Sequence, residues 1–141
     1  MYVLNAPESA EPLIEELKRN SEVHQKLPDR PSKLLCILVF AEHRKSLLES
    51  LSQIAAYLDA HTVWWIAYPK RSNTRYNSDL TRDTGWDAVG ALGYEPVRQI
   101  ALDETWSALR FRPVGMIRRL TRDERMILSN EAKKRVQHER D

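Results

Sequence analysis

Eight consecutive apolar residues, Leu34 to Ala41, constrain the fold of this 141-residue chain more than any other stretch. A strand with one solvated face alternates polar and apolar side chains, so an unbroken run of this length reads as a central parallel strand covered on both faces. Covering both faces takes helices. Along the rest of the chain the apolar period switches repeatedly between strand-like and helix-like, as a layered α/β domain requires. The run is less than half of the roughly 18 residues that span a bilayer, which points to a soluble protein.

The remaining elements follow in order. Tyr2 to Asn5 is a short strand cut off by Ala6-Pro7, and Ser9 followed by Pro12, Leu13, Ile14 and Leu17 reads as a capped helix start. Val23 to Leu27 is a weak strand, Pro28 and Pro31 bracket a turn, and Lys33 to Phe40 is the central strand. Leu47, Leu48, Leu51, Ile54, Ala55 and Leu58 recur at three and four residues, the stripe of one helix. Thr62 to Tyr68 is a second central strand. Asp83 to Leu92 is a helix turning Trp86, Val89 and Leu92 to the sheet, stopped by Gly93 in the left-handed conformation. Val97 to Leu102 pairs through the turn Asp103-Glu-Thr105 with an antiparallel strand, Trp106 to Arg112. Thr121-Arg-Asp-Glu124 has the form of a capping box, opening a helix with Leu128, Ala132 and Val136 four apart. The expected architecture is an α/β three-layer, Rossmann-like sandwich. Its first five strands are parallel, its order is 2-1-3-4-6-5, and its last strand is antiparallel. Residues 1–120 form the domain, and residues 121–141 are a helical extension that packs on it or on a second subunit.

Right-handed crossovers bring the carboxyl ends of the parallel strands to one edge, where open α/β sheets bind ligands. That edge gathers Asn5-Ala-Pro-Glu8, Phe40-Ala-Glu-His43, Tyr68-Pro-Lys70 with the long polar loop behind it, and Asp103-Glu-Thr-Trp106. The ligand-binding candidates are Asn5, Glu8, Lys70, Arg71, Asp79, Asp103, Glu104 and Trp106. For several of them a structural role competes. Asp103 fits an Asx-turn closing the hairpin, Asp79 a cap near Leu80-Thr81, and Lys70 a solvated strand end. The tryptophans fit packing, although Trp106 at a hairpin start also suits a pocket wall. His43 fits the first turn of the Leu47 helix.

Several chemistries find no support. The chain has four glycines, the first at Gly85, so no Walker loop or G-x-G-x-x-G turn precedes any early helix. The turn after the first strand is Asn-Ala-Pro-Glu-Ser, and its proline removes an amide that a phosphate would need. His24, His43, His61 and His138 are unpaired at metal-ligand spacing, and no cofactor is indicated. Cys36 is the single cysteine, which excludes an internal disulfide and fits a small buried hydrophobe in a reducing compartment. Met-Tyr-Val-Leu-Asn lacks the features of a signal peptide, so the expected location is cytoplasmic. Net charge is +2 but uneven: −2 over residues 1–60, −1 over 61–109 and +5 over 110–141. In the last segment basic residues alternate with Asp and Glu at helical spacing, the pattern of a solvated helix, and nucleic-acid binding is not indicated.

Val63-Trp-Trp-Ile-Ala-Tyr-Pro69-Lys70, then Ser78-Asp-Leu-Thr81, Gly93, Glu104-Thr-Trp106-Ser107 and Leu109-Arg110 form an ordered set. Together with Val3-Leu-Asn-Ala-Pro-Glu8, it resembles a bacterial family of small proteins catalogued as domain of unknown function 3052. The likeness covers residues 1 to about 113. It implies a bacterial cytoplasmic protein with a trimmed methyltransferase-like sheet, and it supplies no catalytic residues, because the family has no established activity. The expected function is a non-catalytic binding module, with a small polar ligand or a partner protein held at the carboxyl edge. The alternative is a diverged methyltransferase-like or metal-assisted enzyme at the same edge, with Lys70 holding an anionic group and Asp103 or Glu104 as base. A third, weaker possibility is that Arg118, Arg119, Arg122, Arg125, Lys133, Lys134 and Arg135 grip nucleic acid. A dimer is compatible with all of these readings.

Overall fold

The apolar runs become the centre of a five-stranded open sheet. β1 (Tyr2–Leu4), β2 (Cys36–Phe40) and β3 (Val63–Pro69) are joined in parallel, Leu38 lying between Val3 and Trp65. β4 (Tyr94–Ala101) and β5 (Trp106–Pro113) form an antiparallel hairpin, and β5 inserts between β3 and β4, giving the order β1-β2-β3-β5-β4. β4 therefore runs in the direction of the first three strands but pairs only with β5. The computed structural model describes residues 1–116, so the expected helix from Thr121 and the basic residues Arg118 to Arg135 lie outside the described residues.

Successive strand residues point to opposite faces of a sheet, and the chain buries both. On one face Ile37, Val39, Trp64, Ile66, Tyr68, Leu109 and Phe111 pack with Leu47, Leu51 and Ile54 of α2 (Arg44–Ile54) and with Trp86 and Val89 around α3 (Asp87–Ala91). Val3, Leu38, Phe40, Ala67 and Trp106 form a second cluster with Ala10 and with Leu13 and Ile14 of α1 (Glu11–Asn20). The first cluster is held by aromatic edges: Trp64 meets Tyr94 at 5.1 Å and 85°, and Tyr68 meets Trp86 at 5.4 Å and 76°. No helix among the described residues is long and apolar enough to cross a membrane.

The departures from expectation have local causes. Val23 to Leu27 forms no strand; only His24 bridges Tyr2, with its ring stacked on the tyrosine at 4.9 Å. Without that strand, the expected order is the observed one. Ser9 does not cap α1. A 3-10 turn, Glu8–Ala10, precedes the helix, Ala10 takes the cap position, and the Ser9 hydroxyl bonds Tyr76 at 2.6 Å. The helix expected from Leu47 to Leu58 starts earlier and tightens after Ile54 into a 3-10 turn, Ala55–Tyr57. The helix expected from Asp83 shrinks to five residues. Thr81 Oγ1 accepts from the amides of Asp83 and Thr84, and Gly85 sits at φ +97°, so residues 81–86 are spent in a turn. β4 begins at Tyr94 and carries Pro96 inside it, which is tolerated because β4 is an edge strand with a register shift between Pro96 and Arg98.

Two predictions follow from these turns. A Cβ on Gly85 would stand 2.5 Å from Leu80 Cδ2 and 3.2 Å from the Asp79 carbonyl, at a φ that only glycine adopts freely. Gly85→Ala is expected to lower stability by about 1–3 kcal/mol in urea unfolding; an unchanged midpoint refutes it. Between α2 and β3, the Asp59 carboxylate accepts from the amides of His61 (2.8 Å) and Thr62 (3.1 Å). Those bonds, the His61 amide first, hold its pKa below the ordinary value of 3.8. A depressed folded-state pKa stabilises above the unfolded value and stops doing so as pH falls through the folded one. The stability gap between wild type and Asp59→Asn is therefore expected to be widest near neutrality and to close below pH 3.8. A gap unchanged between pH 7 and pH 2.5 excludes that contribution.

Candidate functional site

The carboxyl ends of β1 and β2, the start of β5 and one stripe of α2 enclose a cavity of about 250 Å³. Phe40 and Trp106 supply apolar wall, their rings meeting edge to face at 5.1 Å and 80°. Register places Trp106 there, because the β3–β5 ladder sets it opposite Pro69. Ser46, Glu49, Ser50 and Gln53 line the opposite wall, spaced three, four and seven residues apart on one side of α2. Asn5, Pro7 and Glu42 complete it.

Asn5 holds the two sides together. It turns the chain out of β1 at φ +59°, a conformation that asparagine tolerates better than most residues. Its Nδ2 donates to Ser50 Oγ at 2.8 Å and to Gln53 Oε1 at 3.3 Å. Ser50, 2% exposed, passes its own proton to the Ser46 carbonyl at 2.9 Å.

The N-terminus of α2 is also closed by side chains. His43 is the N-cap, its Nδ1 accepting from the Ser46 amide at 3.2 Å while Ser46 Oγ accepts from the His43 amide at 3.0 Å. The neutral ring accordingly carries its proton on Nε2. Ser46 Oγ donates to the His43 carbonyl at 2.9 Å, so the pair works as a capping box rather than as a nucleophile and its base. The Arg44 amide donates to Asp79 Oδ1 at 2.7 Å.

Of the eight sequence-derived candidates, the structure puts Asn5 and Trp106 in the cavity wall. Glu8 is exposed on the 3-10 turn before α1. Asp79 caps α2 from across the fold, rather than the Leu80-Thr81 segment beside it. Asp103 Oδ1 accepts from the amides of Thr105 (2.8 Å) and Trp106 (2.7 Å), an Asx-turn that closes the hairpin next to exposed Glu104. The Lys70 amide donates to the Thr105 carbonyl at 2.8 Å, and its carbonyl accepts from both nitrogens of Asn73; Arg71 is exposed. Lys70, Arg71, Asp79, Asp103 and Glu104 are not among the residues lining the cavity. The polar loop they occupy is tied down at Tyr76, which reaches Ser9 and the Trp106 ring, at Asp79, and at buried Leu80.

Phe40, Glu42, Ser46, Glu49, Ser50 and Gln53 escaped selection, although Phe40 and Glu42 stand in the segment already placed at this edge. The signal was weak: a Ser/Glu/Ser/Gln stripe beside an apolar one is what any solvated helix face looks like. Among the described residues no three His, Cys, Asp or Glu side chains gather to hold a metal ion. Burial pushes the Cys36 thiol up from its ordinary value, against weaker pulls from the N-terminal ammonium and Arg110, so it stays protonated near neutral pH.

The Asn5 lock can be tested by paired substitutions. Asn5→Gly keeps the positive φ and loses the side-chain bonds, whereas Asn5→Ala loses both. Asn5→Ala is expected to be the less stable by about 1–2 kcal/mol in chemical denaturation, and equal losses contradict the backbone argument. No family model, curated protein or solved structure matches this chain.

Proposed function

We propose that this chain is a non-catalytic binding module that holds a small polar ligand at the carboxyl edge of a three-layer, Rossmann-like sheet, in the cavity between Asn5, Trp106 and α2. The observation that carries it is the cavity itself: aromatic wall on one side, a polar helix stripe on the other, and a backbone turn at positive φ fastened across the gap. Concave sites of mixed lining with few polar groups are where small molecules bind, and at about 250 Å³ this one suits a metabolite below drug size. Backbone at positive φ concentrates at such sites. A binding role is favoured over acid–base chemistry because the Asp79 and Asp103 carboxylates are committed to backbone amides. The bacterial cytoplasmic setting and the resemblance to domain of unknown function 3052 belong to the same proposal and rest on the sequence motifs alone.

The test is a thermal-shift screen of a metabolite library against wild type and Gln53→Trp, a substitution that fills the cavity from an exposed helix position. A ligand at about one hundred times its dissociation constant adds about 2.7 kcal/mol, a rise of several degrees. The expected result is a rise in wild type that Gln53→Trp abolishes. Equal rises in both proteins place binding elsewhere, and no rise with any compound removes the small-molecule reading in favour of a protein partner.

A further inference from the structure

Charge around the cavity narrows what it takes, and this step rests on the binding reading above. Glu42 and Glu49 both line the cavity, while no Lys, Arg or His does. Among the described residues, neither carboxylate has a hydrogen-bond or ion-pair partner. Lys45, one helical turn before Glu49, forms no ion pair with it, and Arg44 is engaged by Asp87 at 2.7 Å. The donors that might have drawn an anion are already used. At the head of α2 the amide of Arg44 goes to Asp79, that of Ser46 to His43 Nδ1 and that of Leu47 to the His43 carbonyl. Asn5 Nδ2 and the hydroxyls of Ser46 and Ser50 are turned to acceptors within the protein. What the cavity leaves unanswered is negative charge beside the aromatic wall of Phe40 and Trp106, whose ring faces also favour cations.

We infer that the ligand is a small organic cation, an amine or quaternary ammonium, whose charge lies between Glu42 and Glu49 and whose carbon frame lies against Phe40 and Trp106. Phosphorylated metabolites are the wrong class for this cavity. Because both carboxylates are exposed, their attraction is partly screened, and affinity falls with added salt.

The experiment follows the indole N–H signal of Trp106 in nitrogen–proton correlation spectra of the whole chain. The probes are choline, putrescine, and two shape-matched partners of choline: neutral 3,3-dimethylbutan-1-ol and anionic 3,3-dimethylbutanoate. The expected result is a saturable shift of the Trp106 signal with choline or putrescine. The neutral analogue binds roughly tenfold more weakly, and the anion gives no shift. The double variant Glu42→Gln/Glu49→Gln lowers cation affinity toward that of the neutral analogue while keeping its folded spectrum. A shift with the neutral or anionic compound equal to or greater than that with both cations overturns the inference and leaves the binding reading standing. The absence of any shift with either cation overturns it as well, and the library screen on Gln53→Trp then decides the binding reading separately. Undiminished cation affinity in the double variant excludes the two carboxylates as the recognising groups.

Discussion

The insertion of β5 between β3 and β4 is the constraint from which the working end of the molecule derives. Along β5, Leu109 and Phe111 face the α2 side while Trp106 and Ala108 face the α1 side, and all four are at most 1% exposed. A slip of one residue would send every one of these side chains to the opposite face. The register is held from outside the ladder too: the Asp103 Asx-turn starts β5, and the Lys70 amide binds the Thr105 carbonyl just before it. Trp106 is therefore a consequence of strand pairing before it is a wall of the cavity.

The long polar loop after β3 has a structural purpose that its composition conceals. It crosses from the end of β3 to α3 and on the way supplies a cap to α2, a hydroxyl partner to Ser9, a ring to Trp106 and a buried leucine to the core. Trp86 closes it, donating from Nε1 to the Thr81 carbonyl at 2.7 Å. Such a segment fastens the top of one element to another across the sheet edge. The capping is nonlocal: Asp79 serves a helix whose first residue is 35 positions earlier.

Much of the sheet was legible in the sequence because burial on both faces writes itself as unbroken apolar runs, and α2 because its stripe repeats at three and four residues. Sheet order followed from chain connectivity and the hairpin signal at Asp103. Less legible was anything decided by partners distant in sequence. Ser9 has the residue type of a cap, yet Tyr76 claims its hydroxyl. Val23 to Leu27 has strand propensity but lies where only His24 meets β1. Asp83 to Trp86 fits a helical period, yet the Thr81 hydroxyl and Gly85 turn the chain first. At the site, strand-end reasoning reached Asn5 and Trp106 because their positions follow from topology. It missed the α2 stripe, because nothing in Ser46, Glu49, Ser50 and Gln53 separates a cavity wall from a wet surface until Asn5 is seen reaching across to them.

That reach determines how the cavity meets a guest. The two hydrogen bonds from Asn5 clamp the end of β1 to the middle of α2, and Ser50 relays the clamp to the backbone one turn earlier. A molecule entering between them finds opposing walls already at their working separation and in their working rotamers. The ordering entropy of that part of the cavity has been met during folding, so association there charges mainly for the guest's own loss of freedom. A small domain with a small cavity gains most from such preorganisation, since it has little contact area from which to recover the expense of closing around a ligand.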